Sequence, residues 1–255
     1  RSSSLLEDRM GAAFSGKYKS LFLANRGSKR KKLEALTDAI AEVYASTFGP
    51  DPIEYRTERG LLDFGEEMGI MIQEVVGSKV GRYFLPSFAG VAFSRNEFRW
   101  SARIKREDGL LRLVPGLGTR AVDRLGDDYP VLVAPGQPNL RVNTSVDEVI
   151  KYAPGYIDVI DLETNAFKTL PIDEFMRGVG YLVPDDLIVT FDGLVSRTPF
   201  VKQMQAMLQT LEETLSTPVD IEFASDGHDF YLLQCRPQSY SGQDRPAPIP
   251  KDIPN

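Results

Sequence analysis

The chain has 255 residues, enough for one large domain or two small ones, and its 42% hydrophobic and 26% charged residues are the balance of a globular protein with a real core. A net charge of −6 argues against general nucleic-acid binding, which leaves a basic footprint, but still allows a local Arg/Lys cluster that holds a phosphate. Cys235 is the only cysteine, so an internal disulfide and a cysteine-ligated metal site are excluded and a reducing cytoplasm is the expected setting. No apolar run reaches the roughly 18 residues of a membrane span, and no signal peptide is expected, so neither membrane nor nucleic acid is an expected partner. The opening Arg1-Ser2-Ser3-Ser4 lacks an initiator Met, and the expectation is a processed chain or a piece of a longer protein.

Residues 1–27 are polar and rich in small side chains. Leu33, Leu36, Ile40, Val43 and Tyr44 recur at helical spacing and predict a helix that stops at Gly49-Pro50, a glycine followed by a breaker. A second helix is expected over residues 51–68. Residues 69–76 read as a buried strand, and residues 89–94, 98–104 and 110–114 as further strands. Residues 115–150 carry many Pro and Gly and read as loops with short elements. Residues 156–161 and 166–170 alternate like a hairpin. Thr198 is a good N-cap with Pro199 at the first helical position, and Phe200, Met204, Met207, Leu208, Leu211 and Leu215 form an apolar stripe that ends before Pro218. Residues 219–224 and 230–236 read as two last strands, and the Pro-rich polar stretch from Gln238 onward as a linker.

The last two strands carry the best chemistry. Side chains alternate faces along a strand, so Asp220 and Glu222 share one face, and Gln234 and Arg236 share one face of the next strand. An odd-length turn through Ser225-Asp226-Gly227-His228-Asp229 sets both polar pairs on the same side of the sheet. Two carboxylates, an amide and a guanidinium together fit a metal–triphosphate site, because Mg²⁺ takes oxygen ligands and Arg offers a permanently charged fork to phosphate. The pattern alone fits better a solvated strand face with an Asp–Arg ion pair. Ala12 to Lys17 could cover a phosphate or be a polar surface turn; the spacing is not that of a Walker A loop. Gly116-Leu117-Gly118 has the start of a dinucleotide fingerprint, but the acidic residue that should follow about 20 residues on is missing.

Taken in order, the segments Arg1-Ser2-Ser3, Ala13-Phe14-Ser15-Gly16, Tyr44-Ala45-Ser46-Thr47-Phe48, Tyr55-Arg56, Gln73-Glu74-Val75-Val76, Ala89-Gly90-Val91-Ala92-Phe93-Ser94, Gly116-Leu117-Gly118, Asp220-Ile221-Glu222 and Leu233-Gln234-Cys235-Arg236-Pro237 form a specific series. That series resembles the ATP-binding domain of pyruvate phosphate dikinase, phosphoenolpyruvate synthase and rifampin phosphotransferase. The resemblance implies an α+β, ATP-grasp fold with nucleotide held between two subdomains. Residues 1–75 would be a truncated N-terminal subdomain, 76–240 the C-terminal one, and 241–255 a linker tail. It implies ATP and Mg²⁺ as ligands: Arg1 and Arg236 on the phosphates, Glu222 and Gln234 on the metal with Asp220 nearby. Ser15, Gly16 and Lys17 would lie in a lid over the triphosphate, and Gln73, Glu74, Val75 and Val76 would form the adenine-side hinge. The implied partners are a phosphohistidine domain and a pyruvate-binding domain of the full-length protein, with an antibiotic or a glucan as the alternative acceptor. A degenerate regulatory module is the third reading. Two departures stand out: the family's upstream nucleotide-contacting Lys does not occur here, and its Gly-Leu-Gly-Glu is Gly-Leu-Gly-Thr at residues 116–119. His228, the only histidine, reads as a turn residue and not as a phosphocarrier.

Overall fold

A computed structural model describes residues 1–4, 6, 17–63, 65, 67–122, 128–184 and 187–238. Ser15, Gly16, most of the expected lid and the expected tail 241–255 lie outside the described residues. In chain order the elements are β1 (Ser2–Ser4), α1 (Lys29–Ser46), α2 (Pro50–Glu58), β2 (Met68–Ile70), β3 (Ser78–Val80), β4 (Tyr83–Leu85) and β5 (Phe88–Phe93). After a single 3₁₀ turn (Arg106–Asp108) come β6 (Leu110–Val114), α3 (Thr119–Val122), β7 (Val131–Val133), α4 (Val146–Lys151), β8 (Tyr156–Asp161), β9 (Ala166–Pro171) and α5 (Ile172–Gly178). The chain then runs through α6 (Asp192–Arg197), α7 (Phe200–Leu215), β10 (Val219–Ser225) and β11 (Phe230–Pro237).

Three sheets result, with antiparallel ladders throughout: β1-β2, β11-β10-β5-β6-β7 and β3-β4-β8-β9. Helices mixed with antiparallel sheets are the α+β class that the sequence predicts. The five-stranded sheet owes its stability to α7. Phe200, Val201, Met204 and Leu208 of that helix are buried against Ile221, Phe223, Leu111 and Leu113. Because strand side chains alternate, the residues between them, Asp220 and Glu222, are turned to the other face. Thr198 Oγ1 accepts a bond from Phe200 N and caps α7, although Pro199 stands at the N-cap position itself. A second core, from Tyr83, Leu85, Ile157, Val159, Ile172 and Phe175, joins the four-stranded sheet to α5.

Several expected elements differ. The second helix ends at Glu58, not at residue 68, because Gly60 takes φ +64° and Leu61 N bonds back to Arg56 O, closing the last turn. Of the expected strand 69–76 only Gly69 and Ile70 pair in a ladder; Met71 and Ile72 are exposed, and Gln73 to Val76 line a cleft without ladder partners. Residues 98–104 are no strand: Asn96 Oδ1 accepts from Phe98 N and turns the chain, and Trp100 Nε1 donates to Leu140 O across a loop. Helix α1 forms where its periodicity predicts, with Ser28 as the N-cap accepting from Lys31 N. Its apolar stripe is only partly packed, since Leu33, Leu36 and Ile40 face the cleft and Val43 alone among the stripe is buried. No helix of the described residues is long and apolar enough to cross a membrane.

Candidate functional site

The β10–β11 hairpin builds the site from its turn outward. Asp226 Oδ1 accepts from His228 N at 2.9 Å and Asp229 N at 2.8 Å, and Gly227 supplies φ +99°. Those amide donors, Asp229 first, hold the Asp226 carboxyl below the usual carboxylate range. His228 is exposed at the tip and serves as a turn residue. The turn differs from the expected odd-length loop: Ser225 pairs with Phe230, which leaves four residues, 226–229, and would by itself put Gln234 and Arg236 on the opposite face from Asp220 and Glu222. A β-bulge between Glu222 and Phe223, which leaves Leu233 without a partner in the ladder, shifts the register by one, so that Asp220 opposes Arg236 and Glu222 opposes Gln234. Directly opposed residues in an antiparallel pair project from the same face, so all four polar side chains meet there.

On that face Arg236 Nε and Nη2 both lie 3.1 Å from Asp220 Oδ2. Asp220 Oδ1 is buried and has no hydrogen-bond partner among the described residues. Burial pushes the Asp220 carboxyl above its usual range, against the pull of Arg236, and Glu222 adds to the rise. Arg1 reaches across from β1: its Nη1 lies 2.6 Å from Glu222 Oε2 and its Nη2 donates to Leu233 O at 3.3 Å. Gln73 Nε2 donates to the same Leu233 carbonyl at 3.3 Å. Gln73 is therefore tied to β11, and Arg1 holds Met71 just ahead of it.

These groups line a cleft of about 980 Å³. Arg1, Glu222, Gln234 and Arg236 form its polar side, Gln73, Glu74, Val75 and Val76 with Pro86 a mixed edge, and the apolar stripe of α1 the facing wall. Gly90 lies in its floor because nothing larger fits: a Cβ there would stand 2.1 Å from Arg112 O and 2.8 Å from the Phe223 ring. Lys17 is placed elsewhere, with its ammonium 5.6 Å from the centroid of the Tyr55 ring and outside the cleft lining.

Sequence reasoning missed the support of the floor. Gly116 takes φ +70° so that Leu117 N can reach Asp158 O at 3.0 Å, where a Cβ would collide. Thr119 Oγ1 donates to the Asp158 carboxylate and Thr169 Oγ1 donates to its other oxygen at 2.6 Å. The departure from Gly-Leu-Gly-Glu thus gives a hydroxyl that ties the cleft floor to the four-stranded sheet. Alongside, Arg120 Nε holds Asp128 Oδ2 at 2.6 Å, both buried, and Gly155 N donates to Asp128 Oδ1 at 2.7 Å. Asp158, set between Ile157 and Val159 in β8, was the signal for this network. Arg112 was missed too: opposite Val91, itself opposite Glu222, it projects from the polar face and its guanidinium lies 5.3 Å from the Phe93 centroid.

Among the described residues no three His, Cys, Asp or Glu side chains cluster to hold a metal unaided. The carboxylates of Glu222 and Asp220, the latter with an Oδ1 that has no partner among the described residues, and the amide oxygen of Gln234 are hard oxygen donors that suit Mg²⁺, whose remaining positions are ordinarily filled by water and substrate phosphate.

The family model described as pyruvate phosphate dikinase, AMP/ATP-binding domain, matches residues 1–255. A Bacillus subtilis (strain 168) protein named uncharacterized phosphotransferase YvkC is 26% identical over 247 residues, covering 97% of this chain and 25% of that protein. A Deinococcus radiodurans phosphoenolpyruvate synthase is 26% identical over 245 residues, covering 94% of this chain and 27% of that protein. The chain spans about a quarter of the length of these relatives.

Proposed function

The chain belongs to the pyruvate phosphate dikinase AMP/ATP-binding domain family, and from that premise we propose that it is the Mg-ATP-binding module of an ATP-grasp phosphotransferase. In this reading phosphate passes from ATP through a histidine on another domain to pyruvate, as the name of the phosphoenolpyruvate synthase relative suggests. The subdomain boundary near residues 75 and 76 belongs to the same proposal: the cleft runs between the segments on either side of it.

The observation that carries the reading is the convergence of Asp220, Glu222, Gln234 and Arg236 on one sheet face, with Arg1 laid across them. Glu222 and Gln234 would hold the magnesium ion, with Asp220 adjacent; the ion supplies charge neutralisation on the phosphates. Arg236 and Arg1 offer guanidinium forks to the phosphate oxygens. Gln73 to Val76 would present backbone and two valines to a base, facing Leu36, Ile40 and Val43 of α1. Phosphoryl transfer needs mainly positioning and charge stabilisation, which these groups provide.

Calorimetric titration with Mg-ATP tests it. Glu222→Ala and Arg236→Ala are each expected to weaken binding at least about tenfold, the scale of a lost charge-assisted contact. Unchanged affinity in both variants, at unchanged melting temperature, would reject the site and favour a module that has lost phosphotransfer.

A further inference from the structure

We propose that the Arg1–Glu222 ion pair makes this cleft select the metal–nucleotide complex over either component alone. The inference rests on the Mg-ATP reading above and deepens it. Its core is a conflict over one carboxylate. Glu222 is the carboxylate expected to hold the metal, and Arg1 Nη1 lies 2.6 Å from its Oε2. A divalent cation on that carboxylate stands next to the guanidinium, so the two positive charges compete for one negative charge. Arg1 cannot simply retreat into solvent either. Its Nη2 donates to Leu233 O at 3.3 Å, and its backbone carbonyl accepts from Met71 N at 2.8 Å, which fixes the residue at the cleft wall. Only about a fifth of each side chain is exposed, 18% for Arg1 and 21% for Glu222, so water screens the pair weakly.

The consequences for the three ligands differ. A lone divalent cation must take Glu222 from Arg1 and then sit beside a displaced positive charge with no anion to absorb it. A metal-free triphosphate meets the Glu222 carboxylate and two guanidiniums already engaged, Arg1 with Glu222 and Arg236 with the buried Asp220 behind it. The complex resolves both conflicts. The metal takes the carboxylate, and the released Arg1 turns its fork onto phosphate. Metal and nucleotide therefore bind with positive coupling, of the size usual for linked ligands, about tenfold or more.

The test measures Mn²⁺ binding to nucleotide-free protein by electron paramagnetic resonance, beside calorimetry with ATP in Mg²⁺ and in EDTA. In the wild type Mg-ATP is expected to bind at least about tenfold more tightly than ATP in EDTA. In Arg1→Met, Mn²⁺ alone is expected to bind about fivefold more tightly, the scale of one relieved ion pair, while Mg-ATP binds more weakly. Arg1→Lys keeps both the charge and the β1 pairing, so its Mn²⁺ affinity should stay near the wild-type value. Unchanged or weaker Mn²⁺ binding by a folded Arg1→Met protein that still binds Mg-ATP overturns this inference and leaves the functional reading standing. Equal tightening in Arg1→Lys also overturns it, since charge would not be the cause. A wild type that binds no Mg-ATP overturns the functional reading itself, and this inference falls with it.

Discussion

Two buried aspartates show how differently one residue type is treated in this chain. Asp220 is held by one arginine and its carboxyl is pushed up by burial. Burial would also raise the Asp161 carboxyl, but Lys168 Nζ at 2.7 Å, Arg82, and the backbone N–H groups of Glu163 and Thr164 at 3.0 and 3.3 Å outweigh it. The net result holds Asp161 well below the usual carboxylate range. An acid with a depressed folded pKa contributes stability that is fully present above its unfolded pKa and is lost as the pH falls toward the folded one. For Asp161 that loss begins around the ordinary 3.8 and continues into stronger acid. Asp161→Asn removes the charge that Lys168 and Arg82 need. Its melting temperature at neutral pH should fall, and its further decline on acidification should be shallower than the wild type's. Parallel pH–melting curves for the two proteins would show that Asp161 does not contribute through its charge.

At the scale of elements, α7 carries the five-stranded sheet. Met204 is 1% exposed and touches the sheet through the middle of the helix, so Met204→Ala is expected to cost about 2–4 kcal/mol by lost transfer and cavity energy. Leu215, half exposed at the end of the same helix, should cost under about 1 kcal/mol when truncated. Urea unfolding measures both, and equal costs would contradict the packing described. The helix was legible in the sequence because its stripe packs into one core, against the sheet and Val195 of α6. The stripe of α1 was equally regular, and the helix formed, but periodicity does not say whether a stripe meets a core or opens on a cleft. The same ambiguity explains residues 69–76, whose apolar run reads as a buried strand although most of it edges the cleft without ladder partners. The loop 95–106 was misread for its β-favouring Phe98, Trp100 and Ile104, where Asn96 and the five cations of the stretch bend the chain out of the sheet. The polar pairs of β10 and β11 were readable from strand alternation, but their meeting on one face rests on the bulge opposite Leu233 and not on the four-residue turn, and nothing in the local sequence signals that bulge. The contact of Thr119 with Asp158 spans 39 residues, and no local pattern announces it.

That long-range contact is what makes one molecule of two sheets. The cleft floor hangs from the five-stranded sheet through β6 and α3, and Asp158 stands on the four-stranded sheet. Asp158 accepts from Thr119 and Thr169, its backbone carbonyl accepts from Leu117 N, and its carboxylate lies 3.8 Å from Arg120 Nη1. Removing one partner of such a buried set leaves the others desolvated and unmatched, at a cost of about 3–5 kcal/mol. Asp158→Ala should therefore lower the melting temperature sharply. It should also make the sheets separable. The single tryptophan, Trp100, sits on the loop between β5 and β6 and reports on the five-stranded side. Circular dichroism reports on both sheets. In the wild type the two signals are expected to melt together, as one cooperative unit does. In Asp158→Ala the tryptophan transition should part from the dichroism transition, and Mg-ATP affinity should fall because the floor at Leu117 to Thr119 loses its anchor. A variant that is destabilised but still melts in one coincident step would mean that the sheets are coupled elsewhere, the Arg120–Asp128 pair being the next candidate.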